Sequence, residues 1–206
     1  MEINTTTKRA LQPNTQPQIM ENQRIILWLF MVASILSFGG LTSAYIVRMA
    51  QGNWMKFDLP NVFSINCLVV LASSACMVYA YRSAKTDEIT QVKYGLWGAI
   101  IGGVVFLILQ WLGWKELNAG DIYFSPRRSD NGDLTPLISG SFFFAISAIH
   151  FIHVIAGLIF LTIALVKTYQ WQVHKKNLLT ISLASTFWHF VGILWIYLYL
   201  FLKYWN

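Results

Sequence analysis

Residues 94–114 read YGLWGAIIGGVVFLILQWLGW and are closed at either end by Lys93 and Lys115. No Asp, Glu, Lys or Arg interrupts the run. It reaches the ~20 residues that an α-helix needs to cross the hydrocarbon of a bilayer. Four more runs of the same kind stand at 25–47, 62–81, 137–166 and 178–202. Their ends carry charge, at Arg24 and Arg48, Arg82, Lys167 and Lys203. Lipid offers the backbone no hydrogen-bond partner, so each run must satisfy its own amides as a helix. The sequence therefore predicts an all-α integral membrane protein, a bundle of five transmembrane helices. A polar tail is expected over 1–24 and a single transmembrane domain over 25–206. The fourth run is the longest and implies tilt or an interfacial extension.

Composition agrees. Only 12% of the 206 residues are charged, against about 25% in soluble domains. The net charge of +6 forms no basic face that could track phosphates, which excludes nucleic acid as a partner. The tail lacks the shape of a cleavable signal peptide, so the first span would serve as the insertion signal. Cys67 and Cys76 fall on opposite sides of one helix at about 100° per residue and have no metal-ligand spacing.

Counting Lys and Arg gives an orientation. Lys8, Arg9, Arg24, Arg82, Lys85, Lys93, Lys167, Lys175 and Lys176 lie on one side, against Arg48, Lys56, Lys115, Arg127, Arg128 and Lys203 on the other. Nine against six places the N-terminus in the cytoplasm and the C-terminus outside. The 115–136 loop, with Asp121, Pro126, Asp130, Gly132 and Asp133, reads as solvated or, more sharply, as a contact with a partner subunit. Gly95, Ala99 and Gly103, with Gly98 and Gly102 beside them, form a small-residue face for close helix packing.

Candidate chemistry is sparse. No span holds a carboxylate, Lys or Arg, which argues against a pump, and no inverted repeat or midplane charge suggests a secondary transporter. His150 and His153 project within ~60° of each other, and His189 lies near the middle of the last span. Two histidines from neighbouring helices can hold a haem; the simpler reading is that each imidazole hydrogen-bonds between helices. Trp195, Tyr197, Tyr199, Phe201, Tyr204 and Trp205 read first as an interfacial aromatic belt.

These residues together resemble subunit III of the haem–copper oxidases (cytochrome c or quinol oxidases), in its five-helix bacterial form, over residues 25–205. In the fourth span Gly140, Ser141, Phe142 and Phe143 precede His150, His153 and Gly157. In the fifth, Trp188, His189, Phe190 and Val191 precede Trp195 and Tyr199. Asn66 with Ser73 and Ser74, and Gln110 with Trp114, supply the second and third spans. Each match is weak alone; four in order, each on the right helix, are specific.

The resemblance implies a non-catalytic subunit of an aerobic respiratory terminal oxidase, multi-pass in a bacterial inner membrane. It implies no cofactor in this chain, a bound phospholipid, and haem and copper in a partner catalytic subunit. The implied partners are the oxidase subunits I and II, membrane lipids and an electron-donating respiratory complex. His150, His153, His189, Gln110 and Asn66 become lipid-cleft or interhelical polar groups. Gly95, Gly98, Ala99, Gly102, Gly103, Gly140 and Gly157 become packing positions. The chain departs from the pattern where Ser34, Gly113 and Gly192 stand in place of intramembrane carboxylates, so proton handling by those groups is not carried over. The alternatives are a haem-binding electron-transfer anchor and a subunit III-like partner of a nitric oxide reductase.

Overall fold

The computed structural model describes residues 15–50, 54, 57–120, 122, 138–175 and 177–205. Five long helices account for nearly all of them: α1 Thr15–Met49, α2 Asn61–Lys85, α3 Ile89–Ala119, α4 Ile138–Tyr169 and α5 Leu179–Trp205. All five are long and apolar enough to cross a membrane. This is an all-α, multi-pass membrane protein. The helices outrun the charge-free stretches at nearly every end, because helical hydrogen bonding continues past the first charge into the headgroup region, where Lys and Arg snorkel. Residues 115–119 of the expected loop are helical in this way; Asp121, Arg127, Arg128 and the rest of the 123–136 stretch lie outside the described residues, as do Lys8, Arg9, Lys56 and Lys176.

Helices α2 to α5 form a ring in which α2 packs on α3, α3 on α4, α4 on α5 and α5 back on α2, while α1 packs outside it against α4 and α5. The inward stripe of α1 is legible in its buried residues, Leu27, Met31, Ser34, Phe38, Thr42 and Tyr45. Their three- and four-residue steps follow one face of a helix. The opposite face, with Ile25, Trp28, Leu29, Ile35 and Leu36, is exposed.

Two turns close the same end of the bundle. After α2, the amide of Glu88 donates back to the Ser83 carbonyl, 3.1 Å, with Asp87 in the left-handed region at φ 59°. After α4, Gln172 N donates to Lys167 O and Trp171 N to Thr168 O, with Trp171 also at φ 59°. The second pair is a Schellman closure, and both turns put a non-glycine where glycine is usual. Asp fits there because a short polar side chain tolerates that conformation. The Asp87 carboxylate accepts the backbone N–H of Lys175, and Lys93 Nζ stands 4.4 Å from the Tyr169 ring centroid and 5.5 Å from that of Trp171. The 82–93 and 167–177 connections thus share one end.

Small residues bring α2 and α3 into close contact. A Cβ on Gly95 would lie 2.7 Å from Ala80 Cβ, one on Gly98 2.9 Å from Cys76 Sγ and one on Gly102 2.7 Å from Ser73 Cβ. Lipid tails are as apolar as a protein core, so helices associate in a membrane through such contact rather than through water exclusion. Gly95→Ala is expected to lower the thermal midpoint of the full chain in detergent, at a cost of about 1–3 kcal/mol for overpacking. Gly40→Ala, where nothing lies within 4 Å, is expected to leave the midpoint unchanged or slightly raised. Equal losses at both positions would rule out this packing account.

Candidate functional site

Trp188 sits at the centre of the ring. Its indole fills two notches, one at Gly103 of α3 and one at Gly157 of α4, where an added Cβ would lie 2.6 and 2.9 Å from ring carbons. Its Nε1–H donates to Ser73 Oγ of α2 at 3.0 Å, and Ser73 Oγ donates to the Ala99 carbonyl of α3 at 2.9 Å. One side chain of α5 thereby meets α2, α3 and α4. An indole N–H left without a partner in hydrocarbon costs several kcal/mol, so the hydroxyl at Ser73 fixes where the ring can lie.

The three membrane histidines turn to three different neighbours. His150 is 1% exposed and stacks on Trp195 at 5.1 Å between ring centroids, with Phe106 set edgewise at 5.8 Å. His153 faces α1: its Nε2 lies 3.2 Å from Ser34 Oγ, its Nδ1 lies 2.8 Å from the Ile149 carbonyl, and Phe30 stacks on the ring. His189, half-buried, faces α2 through a 2.6 Å contact between Nδ1 and Ser74 Oγ. Among the described residues no group of three or more His, Cys, Asp or Glu comes together as a metal site.

Other polar groups also bind helix to helix. Asn66 Nδ2 lies 3.4 Å from Gln110 Oε1, a long contact for a hydrogen bond, with both residues fully buried. Ser64 and Tyr199 hydroxyls lie 2.6 Å apart, those of Thr42 and Tyr197 3.2 Å apart, and Trp114 Nε1 donates to Ser147 Oγ at 3.1 Å. Gly140 is buried in the first turn of α4. Trp195, expected in an interfacial belt, is instead 1% exposed, because its position on α5 points to the ring interior. Tyr204, at 80%, lies outside the core.

The profile of the family described as "Cytochrome c oxidase subunit III" matches residues 6–206. The chain belongs to the cytochrome c oxidase subunit III family. Cytochrome c oxidase subunit 3 of Homo sapiens is 26% identical over 212 residues, covering 98% of this chain and 76% of the human protein. That of Pongo abelii is 30% identical over 199 residues, covering 91% and 71%. That of Spodoptera frugiperda is 27% identical over 142 residues, covering 69% and 88%.

Gly113, Gly192 and Ser34 have different surroundings. A Cβ on Gly113 would lie 2.5 Å from Phe63 Cζ, so the Phe63 ring occupies the space that a longer side chain would need. A Cβ on Gly192 would lie 3.0 Å from Val70 Cγ1. Ser34 instead keeps a polar contact, to His153. The two glycines thus face apolar side chains, and Ser34 faces an imidazole.

A groove of about 430 Å³ runs between α1, α4 and α5, walled by Leu27, Phe30, Phe160 and Leu183 and reaching Lys167 and Thr180 at one end. Lys167 Nζ donates to Thr180 Oγ1 at 3.1 Å there. The sequence marked Lys167 only as the charge that ends a span. Its place beside a groove depends on how α1 leans on α4, and no local pattern carries that. The role of Trp188 was hidden for the same reason, since its notches lie on two other helices.

Gly113→Glu is expected to lower the yield of folded chain and its thermal midpoint sharply. Ser34→Glu, which meets the His153 ring rather than a phenyl face, is expected to cost less. Phe63→Ala should recover part of the Gly113→Glu loss; no recovery in size-exclusion and melting profiles would show that Phe63 is not the obstacle.

Proposed function

We propose that this chain is a non-catalytic subunit III of an aerobic respiratory haem–copper oxidase in a bacterial inner membrane. It would pack beside subunits I and II, retain phospholipid and sustain proton uptake by the catalytic subunit. Family membership supports the assembly, and the groove between α1, α4 and α5 carries the lipid part of the reading. An apolar trough at membrane depth that ends in a cation matches an acyl chain with an anionic headgroup.

The polar groups of the spans support a supporting role. Both nitrogens of His153 are engaged within the bundle, and His189 leans on Ser74. His153 and His189 bind helices to one another, and the three histidines turn to different neighbours. A bis-histidine haem would need His189 with His150 or His153, and these pairs turn towards different helices.

A tagged chain drawn from membranes in mild detergent is expected to bring a large subunit with a haem and copper spectrum. Harsher detergent should strip the colour from it. A chain that comes alone and keeps a Soret band would overturn the reading in favour of a haem-carrying anchor.

Lys167→Glu is expected to reduce the anionic phospholipid that co-purifies with the complex and to hasten the decay of turnover, with haem and copper content unchanged. Lys167→Arg should keep both near wild type, since it keeps the charge. Lipid mass spectrometry with identical content in all three proteins would remove the groove as the seat.

A further inference from the structure

Both ring nitrogens of His150 lack a hydrogen-bond partner in the protein, although the side chain is 1% exposed. A neutral imidazole carries one donor and one acceptor, and leaving either buried without a partner is unfavourable. Beside the ring lies a cavity of about 20 Å³, lined by Ser73, Gly102, Gly103, His150, Trp188 and Gly192 among others. One water needs roughly 10–15 Å³ on this measure and two to four polar partners. Gly102, Gly103 and Gly192 contribute only backbone to its wall.

Ser73 supplies the second polar wall. Its hydroxyl proton is committed to the Ala99 carbonyl, and one lone pair accepts from Trp188 Nε1. A hydroxyl oxygen has two lone pairs, so one remains for a donor from the cavity.

We propose that this cavity holds one structural water, which donates to Ser73 Oγ and hydrogen-bonds to the His150 ring. The water adds α4 to a hydrogen-bonded chain that otherwise joins α3 at Ala99, α2 at Ser73 and α5 at Trp188. The inference stands on the geometry of the ring interior and does not depend on the chain's role in an oxidase.

The test uses the full chain in lipid bilayers with isotope-labelled histidine and methionine, studied by solid-state NMR with magnetisation transferred from water protons. His150→Phe assigns the His150 ring signal by its loss. Transfer to that ring is expected to exceed transfer to Met77, which is fully buried, and to be lost in Ser73→Ala. Transfer to His150 no greater than to Met77, or unchanged in Ser73→Ala, overturns the proposal. Should Ser73→Ala fail to fold, a density map that resolves ordered waters elsewhere in the protein decides. A peak within hydrogen-bond distance of both Ser73 Oγ and His150 supports the site, and an empty cavity overturns it.

Discussion

The bundle depends on Trp188. A large flat ring from α5 enters notches at Gly103 and Gly157, and the hydrogen bond to Ser73 fixes its position along the membrane normal. Interhelical hydrogen bonds in membranes are worth only about 0.6–2 kcal/mol each, so the bond alone does not hold the ring of helices together. Its effect is to select one packing. Many van der Waals contacts of about 0.1–0.2 kcal/mol then accumulate around a ring that has a single place to lie. Any rotation of α5 that withdrew the indole would lose the contacts and strand the N–H together.

The same logic runs outward from the centre. Lipid gives no hydrophobic drive for helices to meet, so closeness has to come from small residues, and α3 supplies them on the side that faces Ala80, Cys76 and Ser73. Polar side chains are then spent on neighbouring helices: Ser34 with His153, Ser74 with His189, Ser64 with Tyr199. Each contact joins two helices that are distant in sequence. Helix α1 is held more sparingly, by Phe30 and Phe38 against His153 and Thr42 against Tyr197. Because it lies outside the ring, a groove opens along its inner edge.

Packing closes the interior of the spans as much as polar contact does. Phe63 stands against Gly113 and Val70 against Gly192, so a longer side chain at either position meets an apolar neighbour. The polar groups of the interior serve cohesion of the bundle.

Sequence by itself determined the five helices, their approximate ends and the family. Length and the absence of charge decide a membrane span without reference to neighbours, because the bilayer acts on every segment alike. The small-residue face of α3 was legible for a similar reason: spacing along one helix fixes one face. The histidines were legible as polar exceptions but not in their pairings. His150 and His153, close together on α4, point respectively to Trp195 inside the ring and to Ser34 on α1. Trp195 was expected at the interface and lies in the core, since composition near a helix end does not state which face is turned inward. The tertiary structure alone decided the notches for Trp188, the groove at Lys167 and the cavity at His150. Each is made by atoms from three or more helices, and a contact of that kind depends on helix rotation and tilt, which no single span encodes.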